Sequence, residues 1–437
     1  MRRHLAALVA ATTLLAACGG GGTTSGGGSS PTDGLTGPIK GDITVLTNRT
    51  DIVDTVFQDY KKKFEAKYPG TNVHFEAIAE YETDVSTRLN SGDYGDVLEI
   101  PHSVPRNQLP ILFAPLGTVA ELSHTYRFLD EQSYKGNAYG IAYVGNAQGI
   151  VYNKKVWKRA GVTKLPTTPQ EFLADLKAIK DKTGAIPLYT NYSNGWPLSQ
   201  WEYNRGMMGS PNATIDLLKD HSPWDEGKYH NIVDGLLYDA VANHLTEADP
   251  TTTDWETSKG LIGSGKVGAM ALGSWAIVQM QQAAVKAGGA ASDIGYMPYP
   301  YQVNGTFYST ISGDYQNAVS AKSQNKATAW AWVKWFADES GYAFDQGGIS
   351  PRVDGRAPTT LTDLDAAGVK YLELAPPPAD EATLEARVMS KSQIDLFASI
   401  YRSKLVDIAR GAAKGDKQSY FADLNKRWGA ALDAVGS

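Results

Sequence analysis

The stretch Gly140-Ile-Ala-Tyr-Val-Gly-Asn-Ala-Gln-Gly-Ile-Val-Tyr-Asn-Lys-Lys-Val-Trp157 decides how this chain folds. Its first half sets small residues (Gly140, Ala142, Gly145, Ala147, Gly149) beside Tyr143 and Asn146. Its second half becomes an apolar strand, Gly149-Ile-Val-Tyr152, and Asn153-Lys154-Lys155 then opens an amphipathic helix with Val156 and Trp157 on one face. Strand, small-residue crossing, strand and helix in succession describe a backbone that leaves one lobe and enters another through a hinge. A cleft beside such a crossing is the natural ligand site.

At 437 residues the chain exceeds the length over which a single core keeps growing, so two lobes are expected. Hydrophobic residues at 42% and charged residues at 20% suit a soluble globular protein. A formal net charge of −6 with no basic stripe argues against nucleic acid as a partner.

The N-terminus carries its own message. Met1-Arg2-Arg3-His4 is a short basic region, and the apolar run from Leu5 to Ala17 is too short to span a bilayer as a mature helix. Residues 1–17 therefore read as a secretory signal. Leu15-Ala16-Ala17-Cys18 resembles the lipobox of bacterial lipoproteins, and Cys18 is the only cysteine in the chain, so it is expected to carry the lipid. Residues 18–41 form a Gly/Ser-rich tether that would hold the folded part on the order of 25 Å from the membrane. The mature protein is expected on the outer face of the cytoplasmic membrane, anchored to it without crossing it. Stability then comes from packing, not disulfides.

Beyond the tether, strands alternate with helices. Ile43–Leu46, Val73–Ile78 and Asp96–Ile100 read as strands, with helices whose apolar positions include Val53, Phe57, Tyr60 and Phe64, and then residues 83–89. After the hinge, Thr168-Pro-Gln-Glu171 reads as a capping box opening a helix through Phe172, Leu176 and Ile179. Ile186-Pro-Leu-Tyr189 and Gly265 to Leu272 are further strands, and Ser274 is placed to cap the helix that follows the second. Both lobes are thus α/β.

Several blocks together resemble the substrate-binding proteins of ABC importers, in the sugar-binding family to which maltose-binding protein belongs. They are Leu89-Asn-Ser-Gly92 with Gly95-Asp-Val97, Tyr139-Gly-Ile-Ala142 with Ile150-Val-Tyr-Asn-Lys154, Ala160-Gly161, Gly265-Lys266 through Gly273-Ser-Trp275, and Gly348-Ile-Ser-Pro351. The likeness covers nearly the whole chain. It departs where a Trp common after Pro166 is absent and where Ala142 replaces a Pro before the hinge. The resemblance implies a periplasmic-binding-protein-like fold, two α/β lobes joined by a three-crossing hinge of the maltose-binding-protein type. Crossings are expected near 143–147, 307–313 and 349–353, with lobe 1 as residues 42–145 and 313–350 and lobe 2 as 146–312 and 351–437. It further implies a monomer that captures a mono- or oligosaccharide and presents it to the transmembrane subunits of a permease, with no cofactor, no metal and no chemistry of its own.

Trp and Tyr dominate the aromatics, 10 and 23 against 11 Phe, and such rings stack on sugars while amides and carboxylates take hydroxyls. Helically spaced rings such as Trp332, Trp335 and Trp428 belong to the core. The expected ligand contacts are Arg49, Thr50 and Asp51 past the first strand, Asn146 at the hinge, and Trp196 and Trp201 in a polar loop. Trp275 follows Gly273-Ser274 where the resemblance puts a contact, and Asp314, Tyr315 and Arg352 complete the set.

Enzyme signals are weak. Gly263-Ser-Gly-Lys-Val-Gly268 fits the GxGxxG pattern but precedes a strand, so it is a turn. The seven histidines (4, 74, 102, 124, 221, 230, 244) have no metal-ligand spacing. Asp93, Asp96 and Glu99 leave open a surface glycoside hydrolase or lyase, since sequence does not give a carboxylate separation. A surface lectin, a chemoreceptor adaptor and a receptor for a non-sugar solute are also compatible with the sequence.

Overall fold

The computed structural model describes residues 34–436, so the expected signal segment and Cys18 lie outside the described residues. The tether, expected to reach Gly41, is already fastened by Leu35, which is 5% exposed in the first lobe's core. The Lys40 N–H donates to Thr328 Oγ1 at 2.9 Å, and that hydroxyl donates back to the Lys40 carbonyl at 2.7 Å. A single leucine among glycines leaves no trace in composition, which is why the sequence hides this end point.

The strands, in chain order, are β1 (Gly41–Thr47), β2 (Thr71–Ala77), β3 (Val97–Glu99), β4 (Ile141–Ala142), β5 (Gly145–Asn153), β6 (Ile186–Leu188), β7 (Val267–Gly273), β8 (Ile294–Met297), β9 (Gln302–Val303), β10 (Thr306–Gly313), β11 (Gln316–Val319) and β12 (Lys370–Leu372). They assemble into two main sheets. The first has the order β2-β1-β3-β11-β4, and the second runs β9-β10-β5-β7-β6, with β8 paired to β5 and β12 to β10. A small third sheet joins Gly117–Thr118, Ser133–Tyr134 and Asn137–Ala138.

In the first sheet, alternation sends neighbouring residues to opposite faces. Val45, Val97 and Val319 face the helix α1 (Val56–Lys67) and, from a distant part of the chain, Trp332 and Phe336; Leu46, Leu98 and Ala318 face α2 (Tyr81–Ser91) through Tyr81, Val85 and Leu89. The turn at residues 51–55 precedes α1, so Val53 lies outside the helix and Asp51 does not cap it.

The second sheet is sandwiched in the same way. Ile150, Ala269, Ala271 and Met297 pack against α3 (Lys154–Ala160), α4 (Pro169–Thr183) and α5 (Tyr229–Ala242). Val151, Met270, Leu272 and Tyr296 face α6 (Trp255–Gly263) and α7 (Ala276–Lys286). Thr168 caps α4 by accepting from the Glu171 N–H, but the Glu171 carboxylate returns to Thr167, one residue earlier than the capping box requires. Helix α8 (Lys326–Asp338) supplies Trp332 and Phe336 to the first lobe, while α9 (Leu384–Ser392), α10 (Ile400–Ala409) and α11 (Lys417–Gly436) join the second lobe's core.

Antiparallel strands carry the chain between the sheets. β4 and β11 pair at Ala142 and Gln316 in the first sheet, whereas β5 and β10 pair at Gly145 and Gly313 in the second. The passages therefore fall at Tyr143–Val144 and at Asp314–Tyr315; residues 307–313, expected as a crossing, belong to β10 of the second sheet. A third segment meets them at Ile349, which exchanges two backbone hydrogen bonds of 2.7 Å with Gly145.

A buried ionic cluster ties the second lobe's helices together. Arg402 donates to Asp234 at 2.8 Å, to Glu202 at 2.6 Å and to the Leu396 carbonyl at 3.1 Å, while Arg205 takes the other Glu202 oxygen at 2.6 Å. Burial opposes the Glu202 charge, yet His230, Arg205 and Arg402 hold its carboxyl well below the usual range. Removing one partner strands the others in a dry interior. Arg402→Met is expected to destabilise the protein by about 3–5 kcal/mol in chemical unfolding, far more than removal of an exposed ion pair.

Candidate ligand-binding site

Strand β7 ends at Gly273, and that glycine shapes the turn into α7. A Cβ there would lie 2.6 Å from Trp275 Nε1, so only glycine lets the indole fold back over the strand end. Ser274, expected to cap α7, instead accepts from the Ala147 N–H at 3.0 Å and donates to Asn146 Oδ1 at 3.4 Å. The strand end is thereby stapled to the hinge.

Trp275 is one corner of a triangle. Its ring centroid lies 5.7 Å from Trp196 and 5.5 Å from Trp255, and those two are 5.1 Å apart. Trp196 is 38% exposed, and Trp255 and Trp275 are half-buried, so the cluster keeps open ring surface. Trp255 is a residue that sequence reasoning missed. It stands first in α6, directly after the Asp254 cap and outside the set of buried residues of that helix (Ser258, Ile262, Gly263), a placement set by tertiary packing. Lys259 sits over the Trp255 ring at 5.0 Å.

Trp201 is corrected to a core residue. It is 2% exposed, packs edge-on against Tyr299 and holds the Tyr229 hydroxyl with its carbonyl at 2.9 Å. A polar flank gives it the look of a loop residue, but the surrounding segment is wound into short helical turns that point it inward.

The first lobe supplies the charged side. Arg49 forms a two-pronged pair with Asp51, both bonds 2.8 Å, and also donates to Tyr342 Oη and to Gln346 Oε1 at 3.0 Å. Thr50 is exposed on the same turn. The Arg49 hydrogen bond holds Asp51 below the usual carboxylate range against the effect of burial, and the charge of Lys259, on the other lobe, acts in the same direction. Asp314 lies at the second passage. Burial raises its carboxyl, and His102, a hydrogen bond with Asn146 and Arg49 restrain the rise. Tyr315 stacks on His102 at 4.7 Å and donates to Glu82 at 2.8 Å.

Arg49, Asp51, Asn146, Trp196, Trp275, Asp314 and Tyr315 thus gather, with Trp255, around the passages between the two sheets. Arg352 does not join them: it is paired with Asp354 at 2.8 Å and Asp338 at 3.2 Å, a tie between the third segment and the end of α8. Among the described residues no three His, Cys, Asp or Glu side chains form a metal-holding group.

An aromatic platform on one lobe, charged groups on the other and a strand-built passage that carries Asn146 between them define a binding protein of the periplasmic-binding-protein class. The chain matches the family described as bacterial extracellular solute-binding protein over residues 49–343, and it belongs to that family. These proteins bind solutes outside the cell and are not enzymes, so this chain is an exported one.

A mannobiose-bound binding protein of an ABC transporter from Bifidobacterium animalis subsp. lactis is 34% identical, with a TM-score of 0.83 over 93% of this chain and 96% of that one. A manno-oligosaccharide-specific solute-binding protein from the same organism, in complex with mannotriose, is 33% identical with the same TM-score and coverage. The multiple sugar-binding protein of Streptococcus mutans is 26% identical over 300 residues, 66% of this chain and 69% of that protein.

Beneath the site, Glu99 is 3% exposed and receives the Thr47 hydroxyl at 2.8 Å and the Asn48 N–H at 3.0 Å. Burial pushes its carboxyl up from 4.5 to about 8, with those hydrogen bonds opposing. The folded protein therefore binds this proton more tightly than the unfolded chain, and between those two pH values stability falls as pH rises. In Glu99→Gln the amide can donate to Thr47 Oγ1 and accept from Asn48. Unfolding measured from pH 5 to pH 9 is expected to show the variant gaining on the wild type as pH rises, by on the order of 3 kcal/mol.

Proposed function

We propose that this protein is the receptor of an ABC importer, holding a short oligosaccharide between its lobes and delivering it to the transmembrane permease subunits. The observation that carries this reading is the Trp196, Trp255 and Trp275 triangle, whose neighbour Lys259 is within electrostatic reach of Asp51 on the first lobe. Indole faces suit the C–H faces of pyranose rings, and Arg49, Asp51, Asn146 and Asp314 suit hydroxyls. The mannose-oligosaccharide complexes of the relatives at 33–34% identity support the same substrate class.

The moving bodies are the lobes built on the two sheets, and they turn about Tyr143–Val144, Asp314–Tyr315 and Ile349. Ligand favours the closed form because only there do both lobes touch it. The protein works as a monomer, tethered through a lipid on Cys18.

Thermal unfolding in the presence of mannobiose, mannotriose and chitin-derived oligosaccharides tests the substrate class. A ligand at a hundred times its Kd adds about 2.7 kcal/mol of stability. Trp255→Ala and Trp275→Ala are each expected to weaken the sugar that binds by about ten- to thirtyfold in calorimetry, with the fold intact. A shift with amino acids or peptides and with no sugar would overturn the substrate class. The anchor is tested separately: Cys18→Ser is expected to move the protein from the detergent-soluble membrane fraction to the medium or periplasm, and membrane retention of that variant would overturn lipidation.

A further inference from the structure

Phe397 is 38% exposed, an uncommon state for a large apolar side chain in this protein. Its turn is held firmly. The N–H groups of Phe397 and Ala398 both donate to Asp395 Oδ1, at 3.0 and 3.1 Å; Ile394 and Leu396 are wholly buried, and the Leu396 carbonyl accepts from Arg402. The Phe397 ring leans on Tyr203 at 5.6 Å and 47°, and the Arg205 guanidinium covers it from 5.1 Å. A ring held in one place by its neighbours and still open to solvent offers a preordered surface on which a ligand can stack.

This pair adjoins the tryptophan triangle. Trp196 and Tyr203 lie on one segment, with the buried Trp201 as its anchor between them. Gly195, at φ +76, turns directly against the Phe397 loop: a Cβ there would lie 2.9 Å from Ser399 Oγ. Tyr203 also lies within electrostatic reach of the first lobe. Burial, and then the charges of Glu82, Glu202 and Asp314, push its phenol up to about 12, against the opposing charge of Arg205. Among the described residues its hydroxyl has no hydrogen-bond partner, while Glu82, whose charge reaches it, accepts from Tyr315, which in turn stacks on His102.

We infer that Tyr203 and Phe397 form an outer sugar subsite that extends the tryptophan platform and sets a preference for a trisaccharide over a disaccharide. This subsite presupposes that the ligand is a carbohydrate. The Phe397 ring takes the C–H face of the outermost pyranose, and the Tyr203 hydroxyl and Glu82 take its hydroxyls.

The test is calorimetric titration of the full chain with mannobiose and mannotriose, and with the matching chitin disaccharide and trisaccharide. In Phe397→Ala the ratio of trisaccharide to disaccharide affinity is expected to fall about tenfold, and in Phe397→Tyr to stay within threefold of wild type. Tyr203→Phe, which keeps the ring and removes the hydroxyl, should lower the same ratio by a smaller factor. A folded Phe397→Ala variant with the wild-type ratio, including equal losses on both sugars, overturns the subsite while leaving the carbohydrate reading standing. A wild type that binds none of the four sugars overturns that reading itself, and the subsite with it.

Discussion

Three chain segments converge on Gly145, and the rest of the molecule depends on how closely they do so. A Cβ at this position would overlap the Phe128 ring and lie 3.2 Å from Ile349 Cβ, so no other residue leaves room for the approach. The gain is a short backbone junction: Gly145 pairs with Gly313 on one side and exchanges two hydrogen bonds with Ile349 on the other. The two sheets, each with helices on both faces, are rigid bodies by virtue of packing. In the proposed closure, motion is confined to the residues that join the sheets, Tyr143–Val144 and Asp314–Tyr315, and to the third segment at Ile349.

That confinement links the hinge to the site. Tyr143 is buried at the first passage and meets the Tyr342 ring edge-on at 5.2 Å; Tyr342 in turn accepts from Arg49. At the second passage Asp314 reaches Asn146, whose own oxygen receives Ser274 ahead of Trp275. Rotation of one sheet against the other therefore displaces the same side chains that line the site. A ligand that holds those side chains in one arrangement selects one lobe orientation.

Much of this was legible in the sequence, and the limits follow from physics. The hinge stretch announces itself because small residues interrupt a strand just before a helix, and the structure puts the first passage at Tyr143–Val144. Strand and helix periods located most of β1, β2, β7 and α4 to within a few residues. What failed was direction. Trp201 and Trp255 lie in equally polar surroundings, yet one turns into the core and the other toward the cluster, a choice made by tertiary packing that local pattern does not encode. Ser274 failed similarly: a hydroxyl before a helix can cap it or bond elsewhere, and the hinge backbone at Ala147 won. Arg352 stands close in sequence to the third segment, which suggests a place in the cleft, but two carboxylates hold it at the end of α8.

The aromatic platform and the polar wall contribute differently to recognition. Every pyranose has a C–H face, so indole rings supply affinity with little discrimination. Discrimination comes from groups that lose hydrogen bonds when the wrong hydroxyl arrives, at about 1–3 kcal/mol for each one left unpaired. In this site those groups are already engaged within the protein: Arg49 with Asp51, Tyr342 and Gln346, and Asn146 with Ser274. Their side chains are ordered by folding, so little further ordering accompanies binding. The ligand's remaining task is to favour closure, and a micromolar Kd, about 8 kcal/mol, is large beside the few kcal/mol that separate two lobe orientations. Selectivity in such a site resides in the mutual pairing of its polar groups, because a sugar must match hydrogen bonds that the protein otherwise makes with itself.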